Sequence, residues 1–211
     1  MYRVESPGHP THYRFDALSG VPHGVFTRHG GVSRGPWASL NVGHTVGDDP
    51  AAVAANEARV FAALGVSAAH VATARQVHGV DVLRVTARPS GAPVGAADGL
   101  VTDVPGIALL MRVADCAPVL LYGPDRGVVG IAHAGWRGAL GGVAARTARA
   151  MIESYGCDPG ALRAAIGPSI GPCCYEVGAE VYEPFAARWG PGAVRQVAGG
   201  GVHVDLWEAN A

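Results

Sequence analysis

Apolar and polar positions along this chain fall into recognisable rhythms, and each rhythm predicts an element. The clearest are two apolar segments between Ile107 and Leu140, IALLMRVADCAPVLLYG and GVVGIAHAGWRG. Both are too short and too interrupted by charge to cross a bilayer, which needs about 20 apolar residues, so they are expected as buried strands. A helical rhythm begins at Asp49. That acid suits the cap position and Pro50 the first helical position. Val53, Val60, Phe61 and Leu64 then share one face before Gly65 ends the helix. Gly138 to Tyr155 reads as a second helix, with Leu140, Val143, Ala144, Thr147, Ala150 and Met151 forming a narrow apolar stripe beside Arg146 and Arg149.

Weaker patterns fill the remainder. A loose start leads to an edge strand around Tyr13 to Phe15, and residues 21 to 47 give a strand followed by a Gly-rich loop. Val71 to Val85 reads as strand, bend, strand. A short strand over Ala97 to Thr102 lies within the turn-rich PSGAPVGAADGLVTDVPG. After the second helix come a strand in LRAAI, a double Gly-Pro loop, a helix from Gly178 to Trp189, a strand in VHVDL and a helix start in WEANA. With 211 residues, no linker-like stretch and no fixed-period repeat, one domain with a substantial core is expected over 1–211.

Charge and composition narrow the partners. A net charge of −1 gives no electrostatic case for nucleic acid or a membrane surface, so a small molecule is the expected partner. All 16 basic residues are arginine, which removes Schiff-base chemistry and the phosphate-loop lysine. Cys116, Cys157, Cys173 and Cys174 are unevenly spaced, and the adjacent pair Cys173 and Cys174 would not bridge without strain. The opening MYRVESPGHPTHYRF has no apolar leader core. Reduced thiols in a cytoplasm are therefore expected.

Candidate chemistry sits where the central segments end. Asp115 and Cys116 lie in the first, and His133, Trp136 and Arg137 close the second. His78 occupies a Gly-punctuated bend in TARQVHGVDV, close to Gln76. His78, Cys116 and His133 together could make a three-ligand site with an open position, as catalytic zinc uses. The separations of 38 and 17 residues (78 to 116, 116 to 133) fit no short zinc-finger spacing, so the reading rests on all three lying at strand ends on one edge of a sheet. The same residues have other readings. Cys116 could be a thiolate with His133 as its base and Asp115 orienting the imidazole, or simply a small buried hydrophobe. Arg137 at a helix start and Arg28 before Gly30 and Gly31 are candidate anion contacts, although arginines at solvated turns give the same pattern. Gly167 to Gly171 matches a nucleophile elbow, but Gly171-Pro172 prevents the helix that motif requires. Nine histidines include no His-x-His pair, which leaves a blue-copper centre little support.

Five ordered motifs, TRHGGVSRGPWASLNVGHTVGDDP, QVHG, ADCAPVLL, AHAGWRG and GPSIGPCCYEVG, carry a closer resemblance. From about Val21 to Asn210 the chain resembles the YfiH-like family, also labelled laccase-domain or multicopper polyphenol oxidoreductase proteins. The resemblance implies an α+β fold, a four-layer α/β/β/α sandwich with mixed sheets. It also implies a zinc-dependent purine nucleoside phosphorylase acting on adenosine, inosine and methylthioadenosine with phosphate, and deaminating adenosine. Copper, named in the older label, is not the expected metal. The implied metal ligands are His78, Cys116 and His133. Arg28, Asn41 and Gln76 fall within family motifs and are candidates for substrate or phosphate, with Arg137 for the anion and Asp115 as a proton shuttle by their chemistry. Bacterial members are also named peptidoglycan editing factors, so a binding partner in cell-wall synthesis and a Cys-His amidohydrolase stay as alternatives. Members usually continue beyond DLWEAN with a Cys-Thr element and a strand bearing an Arg-Arg pair. This chain has neither, so an open sheet edge is expected.

Overall fold

The computed structural model describes residues 1–197 and 200–211. In chain order the strands and helices are β1 (Tyr2–Val4), β2 (His12–Arg14), β3 (Val25–Phe26), α1 (Pro50–Leu64), β4 (Val71–Thr73), β5 (Val82–Arg84), β6 (Gly99–Thr102), β7 (Ala108–Leu110), β8 (Ala117–Gly123) and β9 (Val128–Ala134). They are followed by α2 (Trp136–Gly141), α3 (Val143–Tyr155), β10 (Arg163–Ile166), α4 (Ala179–Trp189), β11 (Val194–Gln196), β12 (Val202–Val204) and α5 (Leu206–Asn210). No helix is long and apolar enough to cross a membrane among the described residues.

The fold is mixed α and β with several sheets. Its centre is a five-stranded sheet in the order β10-β8-β9-β6-β5, antiparallel except for the parallel β6–β5 pair. Side chains alternate across it, as the period of a strand requires. Val101, Val119, Leu121 and Ala132 join the cluster that α3 and α4 cover. On the opposite face Leu100 packs with Ala72, Ala97 and Met111, and Leu120 with Phe15, Leu18 and Val25. Burial on both faces is why β8 reads as an unbroken apolar run. The close approach of α3 depends on Gly130, where a Cβ would come within 3.1 Å of Met151 Sδ and 3.2 Å of Thr147 Cγ2.

The elements differ from the sequence expectation in three places. The opening residues are not loose: β1 pairs with β2 and β2 with β3 in a small antiparallel sheet. The Ile107–Gly123 run is two strands in two sheets, β7 parallel to β4 and β8 at the centre. It breaks because Arg112 turns its polar groups to Gln76, Val42, Thr73 and Glu57. The 138–155 helix is divided at Gly142, whose φ of +74° is left-handed and ends α2 before α3 begins. By contrast α1 follows its signals: Asp49 accepts from the Ala51 N–H and Gly65 closes the helix in a left-handed conformation.

Candidate metal centre

The β8–β9 ladder delivers two reactive side chains to one place. Ala117 pairs with Ala134 and Pro118 with His133, so Cys116, one residue before β8, arrives at the same end of the hairpin as His133. His133 is buried and Cys116 half-buried. The third side chain comes from the bend between β4 and β5, where the exposed His78 takes a left-handed φ of 57°. One ligand atom from each of His78, Cys116 and His133 lies within 4.8 Å of the other two, and the two imidazoles meet edge to face at 4.9 Å between centroids. Gly135 completes the enclosure. A Cβ there would stand 2.7 Å from Cys116 Sγ and 3.4 Å from His78 Cδ2, so only glycine leaves this thiol its position.

Asp98, which the sequence reading passed over, holds the arrangement from beneath. Its fully buried carboxylate accepts hydrogen bonds from the backbone N–H groups of Val77 (3.0 Å), His78 (3.1 Å) and Gly79 (2.7 Å), and pairs with His133 Nδ1 at 2.7 Å. With Nδ1 donating to the carboxylate, Nε2 of His133 is left as the acceptor that a cation needs. Burial pushes Asp98 upward, but the hydrogen bonds from His133, Gly79 and Val77 outweigh it and hold the acid below its ordinary range. Burial lowers the pKa of His133, with the Asp98 contact opposing, and so favours the neutral imidazole that ligates metals. Burial first, then the charges of Asp115 and Asp98, push the Cys116 thiol up. A thiol, a neutral imidazole with its far nitrogen anchored and a second imidazole form a donor set that fits a divalent cation. The one signal in the sequence for Asp98 was an acid set between small residues at the mouth of a strand that is buried throughout.

The other expected residues are each held by contacts of their own. Asp115 is exposed beside Cys116, and its carbonyl accepts from the Ile170 N–H at 2.9 Å. Arg137, exposed on the first turn of α2, lays its guanidinium over the Trp136 ring at 4.2 Å and makes no ion pair among the described residues. Gln76, two residues before His78, clasps the backbone of Arg112, donating to its carbonyl at 2.7 Å and accepting from its N–H at 2.8 Å. Arg28 and Asn41 belong to a separate loop. Arg28 Nε and Nη2 both donate to the Ala38 carbonyl, at 3.0 and 2.6 Å. Asn41 donates to Asp48 and Gly43 and accepts from the Gly43 N–H. Tyr175 is a further neighbour that sequence reasoning missed. Burial is the main cause raising its hydroxyl pKa, and the charges of Cys116, Arg137 and Asp115 also reach it. Around Ser169 no helix begins, consistent with rejecting the nucleophile elbow.

Residues 22–211 match the family model described as multi-copper polyphenol oxidoreductase laccase. The chain belongs to this family. The laccase-like chain is 46% identical over 190 residues to a protein of Deinococcus radiodurans named purine nucleoside phosphorylase, covering 90% of this chain and 72% of that one. The crystal structure of YlmD from Geobacillus stearothermophilus superposes with a TM-score of 0.88 at 35% identity, over 99% of this chain and 81% of that one. Bacillus licheniformis YfiH gives 0.83 at 36% identity, over 89% and 74%. The expected YfiH-like membership and mixed α/β fold are borne out.

Proposed function

We propose that this family member is a purine nucleoside phosphorylase whose His78, Cys116 and His133 hold zinc. Support comes from the activity named for its relatives, and the observation that carries the metal reading is the convergence of one thiol and two imidazoles within 4.8 Å. Sulfur and imidazole donors suit a borderline-soft cation, and three protein ligands leave a position open. When bound, zinc polarises an oxygen or lowers the pKa of a water placed at that position.

Phosphorolysis breaks the ribose C–N bond and forms a C–O bond to phosphate, and the departing purine takes up a proton. The protein must therefore hold an anion beside the anomeric carbon and manage one proton. Arg137 takes the anion in this reading, supported by a planar fork that rests on Trp136 with no carboxylate partner among the described residues. Arg28 adds a second guanidinium, steadied by its bonds to Ala38. Asp115, exposed beside Cys116, carries the proton. Asn41 and Gln76 shape the edges that meet the substrate, one through its loop and the other through Arg112. Adenosine, inosine and methylthioadenosine are the substrates of this reading. Adenosine deamination, in which water replaces the 6-amino group, uses Asp115 in the same way.

The test is free-base release from inosine and adenosine, with and without phosphate, by protein of measured zinc content. Phosphate-dependent release that disappears in Cys116→Ala is expected; full activity in a zinc-free Cys116→Ala protein overturns the proposal. One observation favours a second reading. The Asp98–His133 contact beside Cys116 has the acid, imidazole and thiol order of a cysteine hydrolase. That enzyme would survive chelators and die on thiol alkylation, whereas the phosphorylase loses activity to chelators.

A further inference from the structure

Away from the metal centre, Cys173 and Cys174 are both free and exposed, and their sulfurs stand 3.1 Å apart. Their loop is fixed from both sides. The Gly171 carbonyl accepts from the N–H groups of Cys174 and Tyr175 at 3.0 Å each, and the Pro172 carbonyl pairs with His203 Nδ1 at 2.8 Å. A disulfide needs its sulfurs at about 2.05 Å and its Cα atoms at about 4.4–6.8 Å, farther apart than the ~3.8 Å of adjacent residues, so direct closure would require the chain to move. An atom bound to both sulfurs needs no such movement. With metal–sulfur bonds of about 2.3 Å, a span of 3.1 Å subtends about 85°. A tetrahedral ion wants its sulfurs about 3.8 Å apart, and usually four ligands. The three-ligand group among the described residues is His78, Cys116 and His133, which does not include this pair. Two sulfurs at a narrow angle suit a three-coordinate pyramidal centre that carries a lone pair and one organic group.

Beside the pair lies an exposed indole. A Cβ at Gly171 would touch both Cys173 Sγ (3.6 Å) and the Trp207 ring (3.7 Å), so sulfur and indole both border Gly171, and Trp207 is 43% exposed.

We propose that Cys173 and Cys174 form a dithiol site for trivalent organoarsenicals, with Trp207 packing against the organic substituent. In the reaction with an arsenoxide, two S–H bonds and the arsenic–oxygen bond break and two As–S bonds form. The two protons leave with the oxygen as water, and arsenic stays trivalent. The site is independent of the phosphorylase reading, because neither sulfur belongs to the metal cluster.

The test uses the full chain, zinc-loaded, treated with phenylarsine oxide in excess 2-mercaptoethanol, which competes at isolated thiols but not at a chelating pair. Intact-mass measurement is expected to show one adduct per chain, removed by a dithiol such as dimercaptopropanol. Cys173→Ser and Cys174→Ser, each checked for native circular dichroism, should lose the monothiol-resistant adduct completely, while Cys116→Ser keeps it. Absence of the adduct from the wild-type chain overturns the proposal, and so does its retention in folded Cys173→Ser or Cys174→Ser.

Discussion

The two histidines of the cluster are held by opposite means. His133 sits inside a seven-residue strand paired on both sides, and its side chain is 5% exposed. His78 is exposed on a bend with a left-handed backbone, where three successive N–H groups converge on one carboxylate. A sheet fixes the first; among the described residues Asp98 hydrogen-bonds to both. The lesson is that convergence of two imidazoles from distant chain segments can hang on a single buried acid beneath them.

Substitutions should separate these two supports. The largest effect is expected from Asp98→Ala, which leaves His133 and three backbone N–H groups without their acceptor. A loss of about 3–5 kcal/mol in stability, read by chemical denaturation, should accompany loss of metal. Asp98→Asn keeps the shape but weakens the acceptor, and zinc affinity measured by competition with a chelator should fall about 10- to 100-fold. His78→Asn should abolish stoichiometric zinc binding while moving stability by less than about 1 kcal/mol, because asparagine tolerates the left-handed backbone and the site is exposed. If His78→Asn unfolds the chain instead, the bend is a structural support rather than a ligand carrier. Smallest should be Tyr155→Phe, remote from both histidines. The Tyr155 hydroxyl is buried with no hydrogen-bond partner among the described residues, so its removal should leave stability, read by chemical denaturation, unchanged or slightly raised, by less than about 1 kcal/mol.

These contrasts also explain what could be read from sequence. Helix α1 was legible because its stop and start signals are local: Asp49, Pro50 and Gly65 lie next to the residues they act on. The division of Ile107–Gly123 was not, since an apolar run does not say which sheet it joins, and the interrupting Arg112 finds its partners 36 to 70 positions away. Gly142 was passed over because the apolar stripe continues on both sides of it. At the cluster, Cys116 and His133 stand out as reactive groups at strand ends and His78 as their partner from the upstream bend, and the family resemblance raises all three together. Asp98 was hidden for a different reason. Most of what it binds is main chain, and backbone N–H groups leave no mark in a sequence.

Arg112 has a mechanical consequence. It joins the Val42 carbonyl, Thr73, Glu57 and Gln76, so the loop containing Asn41, the helix α1 and the bend leading to His78 are fastened to one guanidinium and its peptide. Loop and bend are therefore joined through one residue. Cutting the side chain back, as in Arg112→Ala, would release the loop from α1 while the Gln76 clasp on the peptide stays.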